Sequence, residues 1–196
     1  MPEKDQAEKL LGARFEQAVE LAFRLHGRQT RKGSQIPYIA HLLGVAALVI
    51  EDGGSEYEAI AALLHDGPED QGGEETLADI RAKFGEQVAR IVANCSDTFE
   101  APKPPWKERK LKHLKKIKDV EADTCRVLLA DKLYNARALV SDLHREGETT
   151  WEKFNGGKDG TLWYYREMHA LLSEKLPGEL ADMLGRVIKE IEQLSH

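Results

Sequence analysis

Apolar residues recur along this chain at intervals of three and four. Leu11, Phe15, Ala18, Ala22 and Leu25 line one stripe of a first helix that stops near Gly27. Residues 28–37 are polar, punctuated by Gly33 and Pro37, and read as a loop. A second helix, apolar almost throughout, spans 38–51. Gly53-Gly54 ends it, and Ser55 is placed to cap a third helix that runs into His65-Asp66. Gly67-Pro68 and Gly72-Gly73 frame a loop carrying Glu69 and Asp70. Thr76 with Asp79 has the spacing of a capping box and opens a short helix that stops at Gly85. A further helix covers 86–96, and the proline-rich stretch 101–105 breaks it off.

Beyond the breaker, a basic helix starts at Trp106 and an apolar one holds 127–139. After a loop at Asn155-Gly156-Gly157 come two last helices, over 162–176 and 180–194, with Pro177 at a first-turn position. Val127-Leu128-Leu129 alone has the look of a strand. The apolar pattern continues through Leu133, Ala136, Leu139 and Val140 at helical spacing, so the segment is helical. The pattern as a whole predicts an all-α bundle of seven to nine helices.

Composition narrows the function. A chain of 196 residues, 41% hydrophobic and 32% charged, is long enough to bury a sizeable core and too apolar for disorder. The net charge of −6 argues against a general nucleic-acid surface, yet leaves room for a local basic pocket. Cys95 and Cys125 form no CxxC pair, the first six residues carry no signal-peptide core, and no apolar stretch reaches membrane-spanning length. Cytoplasmic residence without a membrane partner is expected.

The chemistry gathers at four places. His65-Asp66 closes the apolar run 61–64, and Glu69-Asp70 follows at once. His41 ends Tyr38-Ile-Ala-His41, and Asp131 sits in 129–135 one helical turn before Asn135. Charges at the end of a core segment need a metal or a polar network, because burying them unpaired is costly. Imidazole nitrogen and carboxylate oxygen without thiolate suit manganese, ferrous iron or zinc. His26, His113, His144, His169 and His196 are expected to be structural or solvated.

These residues carry a resemblance. Thr30-Arg31-Lys32-Gly33-Ser34, Pro37-Tyr-Ile-Ala-His41, Ala61-Ala-Leu-Leu-His-Asp66, Glu69-Asp70, Phe84-Gly85 and Leu129-Ala-Asp-Lys-Leu-Tyr-Asn135 resemble the HD phosphohydrolase superfamily. Within it the likeness is to RelA/SpoT-type hydrolase domains and small stand-alone alarmone hydrolases. It implies one HD domain over 1–196, with motifs across about 11–143 and a helical extension over 149–196. It implies metal ligands at His41, His65, Asp66 and Asp131, with Mn²⁺ the usual ion, and a water-activating pair at Glu69 and Asp70. It places Arg31, Lys32 and Asn135 at the substrate. The implied reaction removes the 3′-pyrophosphate of guanosine tetra- or pentaphosphate, and a hydrolase without a synthetase domain is implied. The chain departs from the family at Gly67-Pro68 and over 154–166. Another nucleotide substrate, such as a nucleoside monophosphate or the 2′-phosphate of NADPH, or a nucleotide-sensing module without catalysis, stays open. So does the oligomeric state.

Two features stand outside the motifs. The cations of 106–118 read as a solvated helix face, the alternative being a positive rim for a polyphosphate. Trp163, Tyr164 and Tyr165 read as core or interface aromatics, the alternative being that Tyr165 and Arg166 reach a nucleotide.

Overall fold

The computed structural model describes residues 11–99 and 102–195. Ala101 of the predicted breaker, His196 and the first six residues lie outside them. The described residues form nine α-helices and one 3₁₀ helix, with no strand beyond an isolated bridge between Thr30 and Pro37. The helices are α1 (Ala13–His26), α2 (Ile39–Glu51), α3 (Glu56–Leu64), α4 (Gly67–Asp70) and α5 (Gly73–Cys95), then α6 (Trp106–Ile117) and α7 (Ala122–Glu146). The 3₁₀ helix Gly147–Lys153, α8 (Gly157–Lys175) and α9 (Glu179–Leu194) follow. None is long and apolar enough to cross a membrane.

Helix α3 lies at the centre, packed by α1, α2, α5 and α7. Every residue of it from Ala59 to Leu64 is inaccessible to solvent. Burial on that scale, about 1.5–3 kcal/mol for each large side chain, fixes where its C-terminal end must lie. Its start is fixed separately. Ser55 and Glu58 form a reciprocal capping box, and the buried Glu58 carboxylate also accepts from Arg126 of α7. Arg126 Nε reaches Asp52 at 2.9 Å, just beyond α2. One guanidinium therefore sets the register of α2, α3 and α7 against one another, and these are the helices that bear His41, His65 and Asp131.

Helices α2 and α7 meet closely at Gly44. A Cβ on this residue would overlap the ring of Tyr134, which instead lies over Gly44 and packs edge-on against the His41 ring with centroids 5.1 Å apart.

The structure corrects three expectations. The segment with Glu69 and Asp70 is a helical turn, α4, and not a loop. Pro68 has a suitable φ, and its missing N–H is one that a helix start leaves unbonded anyway. Thr76 does not cap a helix: α5 begins at Gly73, and the Thr76 hydroxyl donates to the Gln71 carbonyl. The helix stop expected at Gly85 is seen: the residue is non-helical (φ 82°, ψ 175°), a conformation that favours glycine, and the two helices it separates run on as α5. Arg14 Nη2 donates to the Phe84 carbonyl at this break, at 2.6 Å. Pro177 lies before the N-cap Gly178 and so outside the first turn of α9.

Candidate metal centre

Four side chains from four helical segments converge. His41 is in the first turn of α2, His65 is the C-cap of α3, Asp66 is the N-cap of α4, and Asp131 is in the middle of α7. His41 Nε2 lies 3.3 Å from Asp66 Oδ2 and 3.4 Å from Asp131 Oδ1. His65 Nε2 lies 3.1 Å and 3.6 Å from the same two oxygens. Donor atoms of His41, His65 and Asp66 fall within 4.8 Å of one another, and Asp131 joins them through both imidazoles.

These residues fit a divalent ion. Ligands held about 2.0–2.2 Å from one ion stand about 3.0–3.5 Å apart, which is the spacing seen. His65 Nδ1 donates to the Ala62 carbonyl at 2.8 Å, so Nε2 is the ring nitrogen left to bind an ion once it is deprotonated. That nitrogen is buried and has no hydrogen-bond partner among the described residues. A buried donor atom without a partner, aimed at two carboxylates, is what a metal would satisfy.

The electrostatics agree. Burial works against charge on His65, but Asp66 and Asp131 outweigh it and hold its pKa well above the ordinary imidazole value. Burial likewise opposes ionisation of Asp66, and His65 and His41 reverse it, so this carboxyl lies well below the usual range. For Asp131 the same burial cost is overcome by Lys132 first, then by the imidazoles. The site is built to hold positive charge among carboxylates.

Each carboxylate is also oriented from outside. Tyr38 Oη donates to Asp66 Oδ2 at 2.7 Å. Lys132 Nζ donates to Asp131 Oδ2 at 2.6 Å, and Asn135 Nδ2 to Oδ1 at 2.5 Å. Arg31 Nη2 reaches Asn135 Oδ1 at 2.7 Å, so a chain of hydrogen bonds runs from Arg31 to Asp131.

A cavity of about 620 Å³ opens here, within the usual size range of small-molecule sites. Arg31, Lys32 and Asn135 line it, and so does Glu69. Lys32 also donates to the Lys153 carbonyl. Both Glu69 oxygens are engaged: Oε2 accepts from the Asp97 backbone N–H at 3.0 Å, Oε1 from Lys103 Nζ at 2.9 Å. Asp70 does not line the cavity; its Oδ2 accepts from Gln29 Nε2 at 2.8 Å. Basic residues outnumber acidic ones eight to three in the lining, the reverse of the chain's overall balance.

Several of the cavity's residues escape sequence reasoning. Tyr38 and Lys132 adjoin motif residues, but a role for them depends on where their side chains point. The basic run is only partly a solvated face. Arg109 and Lys110 turn into the cavity, whereas Lys107 lies over the Trp163 ring and does not line the cavity. Tyr164 and Tyr165 are buried, yet they line the cavity too; Arg166 instead pairs with Glu192 outside it. The glycines of 156–160 have a packing role. A Cβ at Gly156 would come within 2.7 Å of the Trp106 ring, and one at Gly160 within 3.2 Å.

An all-helical core with His and Asp donors at the meeting of its central helices defines a class. Residues 18–162 match the profile of the HD domain, and the chain belongs to that family. It is 35% identical over 144 residues to the guanosine-3′,5′-bis(diphosphate) 3′-pyrophosphohydrolase MESH1 of Mus musculus, covering 72% of this chain and 75% of the mouse protein. The Homo sapiens protein of that name is 37% identical over 130 residues, covering 65% of this chain and 70% of the human one. The fold superposes with a TM-score of 0.74 on a structure described as a metazoan ortholog of SpoT that hydrolyzes ppGpp. At 24% identity that likeness covers 91% of this chain and 95% of the other and shows the shared fold.

Proposed function

We propose that this protein is a metal-dependent hydrolase that removes the 3′-pyrophosphate of guanosine tetra- or pentaphosphate, giving GDP or GTP and pyrophosphate. The observation that carries this reading is the convergence of His41, His65, Asp66 and Asp131 beside a cavity rich in cations. Membership of the HD family and the names of its mouse and human relatives support the substrate. These four residues hold the ion, and Mn²⁺ suits their mixed nitrogen and oxygen donors. When bound, the ion withdraws charge from a phosphoryl oxygen and makes water more acidic.

The remaining steps fall to the chain itself. Glu69, held by Lys103 and the Asp97 N–H, takes the proton of the attacking water as the new O–P bond forms. The P–O3′ bond breaks in line, its electron pair stays on the nucleoside oxygen, and that oxygen picks up a proton from solvent. Asp70 steadies the short helix bearing Glu69 through Gln29. Arg31, Lys32 and Asn135 hold the nucleoside side of the substrate. The extension 149–196 is part of the same enzyme domain, since its first helix supplies cavity wall.

The test is the phosphorus species released by Mn²⁺-loaded protein from guanosine tetraphosphate. Pyrophosphate is expected, and Asp66→Ala abolishes it. Orthophosphate released from a nucleoside monophosphate or from NADPH, with guanosine tetraphosphate untouched, would transfer the reading to a phosphomonoester. Tight binding without turnover in metal-loaded protein would make the domain a sensor.

A further inference from the structure

The wall of the cavity beside Glu69 is organised around Asp97, two residues past the end of α5. A single oxygen, Oδ2, accepts from Arg109 Nη1 at 2.6 Å and from Lys110 Nζ at 2.6 Å. The Asp97 side chain is only 5% exposed, so the two cations are fixed. Arg109 is fixed again by the Pro104 carbonyl, 3.1 Å from Nε. Lys110 Nζ sits 4.7 Å from the centre of the Tyr164 ring. The ring is anchored in turn: Tyr164 Oη donates to His113 Nδ1 at 2.8 Å, and His113 Nε2 donates to the Asn94 carbonyl at 3.2 Å. Burial, more than the neighbouring Lys132, pushes His113 down to about 4, so it is a neutral acceptor for that hydroxyl.

Asp97 balances one of the two positive charges and leaves the other. A guanidinium has five N–H donors and an ammonium three, so both groups retain donors after bonding Asp97. Burial depresses the pKa of Lys110 despite Asp97 beside it, and a further anion would restore its charge. Meanwhile the Asp97 backbone N–H holds Glu69 Oε2. The cation pair is thereby tied, through one residue, to the group proposed to activate water.

We propose that Arg109 and Lys110, splayed on Asp97, form a phosphate subsite that takes the distal phosphate of a substrate diphosphate. This rests on the hydrolase reading above. In-line displacement puts the attacking water and the nucleoside oxygen on opposite sides of the reacting phosphorus. Arg31, Lys32 and Asn135 occupy the nucleoside side. The distal phosphate is an equatorial substituent of the reacting phosphorus and stays beside Glu69, where Arg109 and Lys110 meet it. The subsite therefore selects a 3′-diphosphate over a 3′-monophosphate, and Asp97 is its positioning residue.

The experiment compares kcat/KM of the Mn²⁺-loaded protein for guanosine 5′-diphosphate esters carrying a 3′-diphosphate or a 3′-monophosphate. Wild type prefers the diphosphate. Lys110→Met is expected to shrink the preference at least about tenfold, the worth of one charge-assisted hydrogen bond, and Lys110→Arg to restore most of it. Asp97→Asn is expected to shrink it as well, chiefly through kcat, because it loosens both the cations and Glu69. An unchanged ratio in Lys110→Met, whatever the absolute rates, would show that the network only ties α6 to α5 and would overturn the subsite. If wild type turns over neither ester, the alarmone reading fails and the subsite is read by binding alone. Methylenebisphosphonate should then raise Tm of the metal-loaded wild type more than orthophosphate does, and this difference should vanish in Lys110→Met. Equal shifts in the two proteins would overturn it.

Discussion

At the candidate metal centre each of the four side chains sits at the end or in the middle of a helix, and all but His41 are oriented by a second group. Tyr38 holds Asp66, Ala62 holds His65, and Lys132 and Asn135 hold Asp131. At the cavity wall beside Glu69 the cations come from a linker and a basic helix, and they are paired with acids while partly open to solvent: Lys103 is 44% exposed and Lys110 18%, against 1% for His41 and 3% for His65. The first region, as a proposed ion site, is expected to fail when any member is removed. The second is graded, because its charges act in parallel on a ligand. Burial makes a site all-or-none, and exposure makes it adjustable.

Removal of a donor tests this contrast most severely. Asp131→Ala should lower turnover by about three orders of magnitude or more and abolish retained metal, read by phosphate release and elemental analysis. Lys103→Ala at the open wall should cost far less. Similar losses for both variants would erase the distinction. Next in size is Tyr38→Phe, which keeps the ring but frees Asp66 Oδ2. Metal affinity should fall about 10–100-fold in a chelator competition, with the fold intact by circular dichroism.

The meeting of His41, His65, Asp66 and Asp131 was legible in the sequence because each interrupts or ends an apolar helical run. A histidine or aspartate there must have a reason. The wall was less legible because seven cations over 107–118 look alike in a charge run. A finer reading was available: Lys110 shares a helical stripe with His113, Leu114 and Ile117, all three buried, so it had to point inward. The contribution of Asp97 had no such signal, since it depends on a backbone N–H and on a turn beyond a helix end. Helix boundaries misled at Gly67-Pro68 and Thr76. A proline can start a helical turn as readily as it ends one, and a threonine hydroxyl can serve a neighbouring carbonyl instead of a cap.

Titration sharpens the comparison from another side. Asp66 and Asp131 hold His65 well above its ordinary pKa against the cost of burial, so an incoming cation competes with a proton for this imidazole. About one proton should be released per Mn²⁺ bound, and affinity should rise with pH until His65 is neutral, as calorimetry in buffers of different ionisation enthalpy would show. The sign for stability without metal is the reverse. The raised His65 pKa contributes stability that is full below about 6.5 and fades as pH climbs through the folded-state value. The depressed Asp66 and Asp131 values contribute above about 4 and fade only on acidification. Urea unfolding in chelator should therefore show declining stability on the alkaline side, and Mn²⁺ should remove that decline.

Two smaller effects bound the wall. Gly156→Ala drives a methyl group toward Trp106 and should cost about 1–3 kcal/mol in urea unfolding. Arg166→Ala removes an exposed ion pair with Glu192 and should change stability by less than about 1 kcal/mol, with KM as in wild type. A large rise in KM would bring Arg166 into contact with the ligand and redraw the edge of the cavity.

Gly44 has a consequence out of proportion to its size. The Tyr134 ring occupies the space a side chain at 44 would need and presses on His41 from there. The clearance between two helices, and with it the bite of the whole ligand cage, is thus set by a lone hydrogen atom. A methyl group added there would act as a wedge, prising apart four candidate ligands that it never touches.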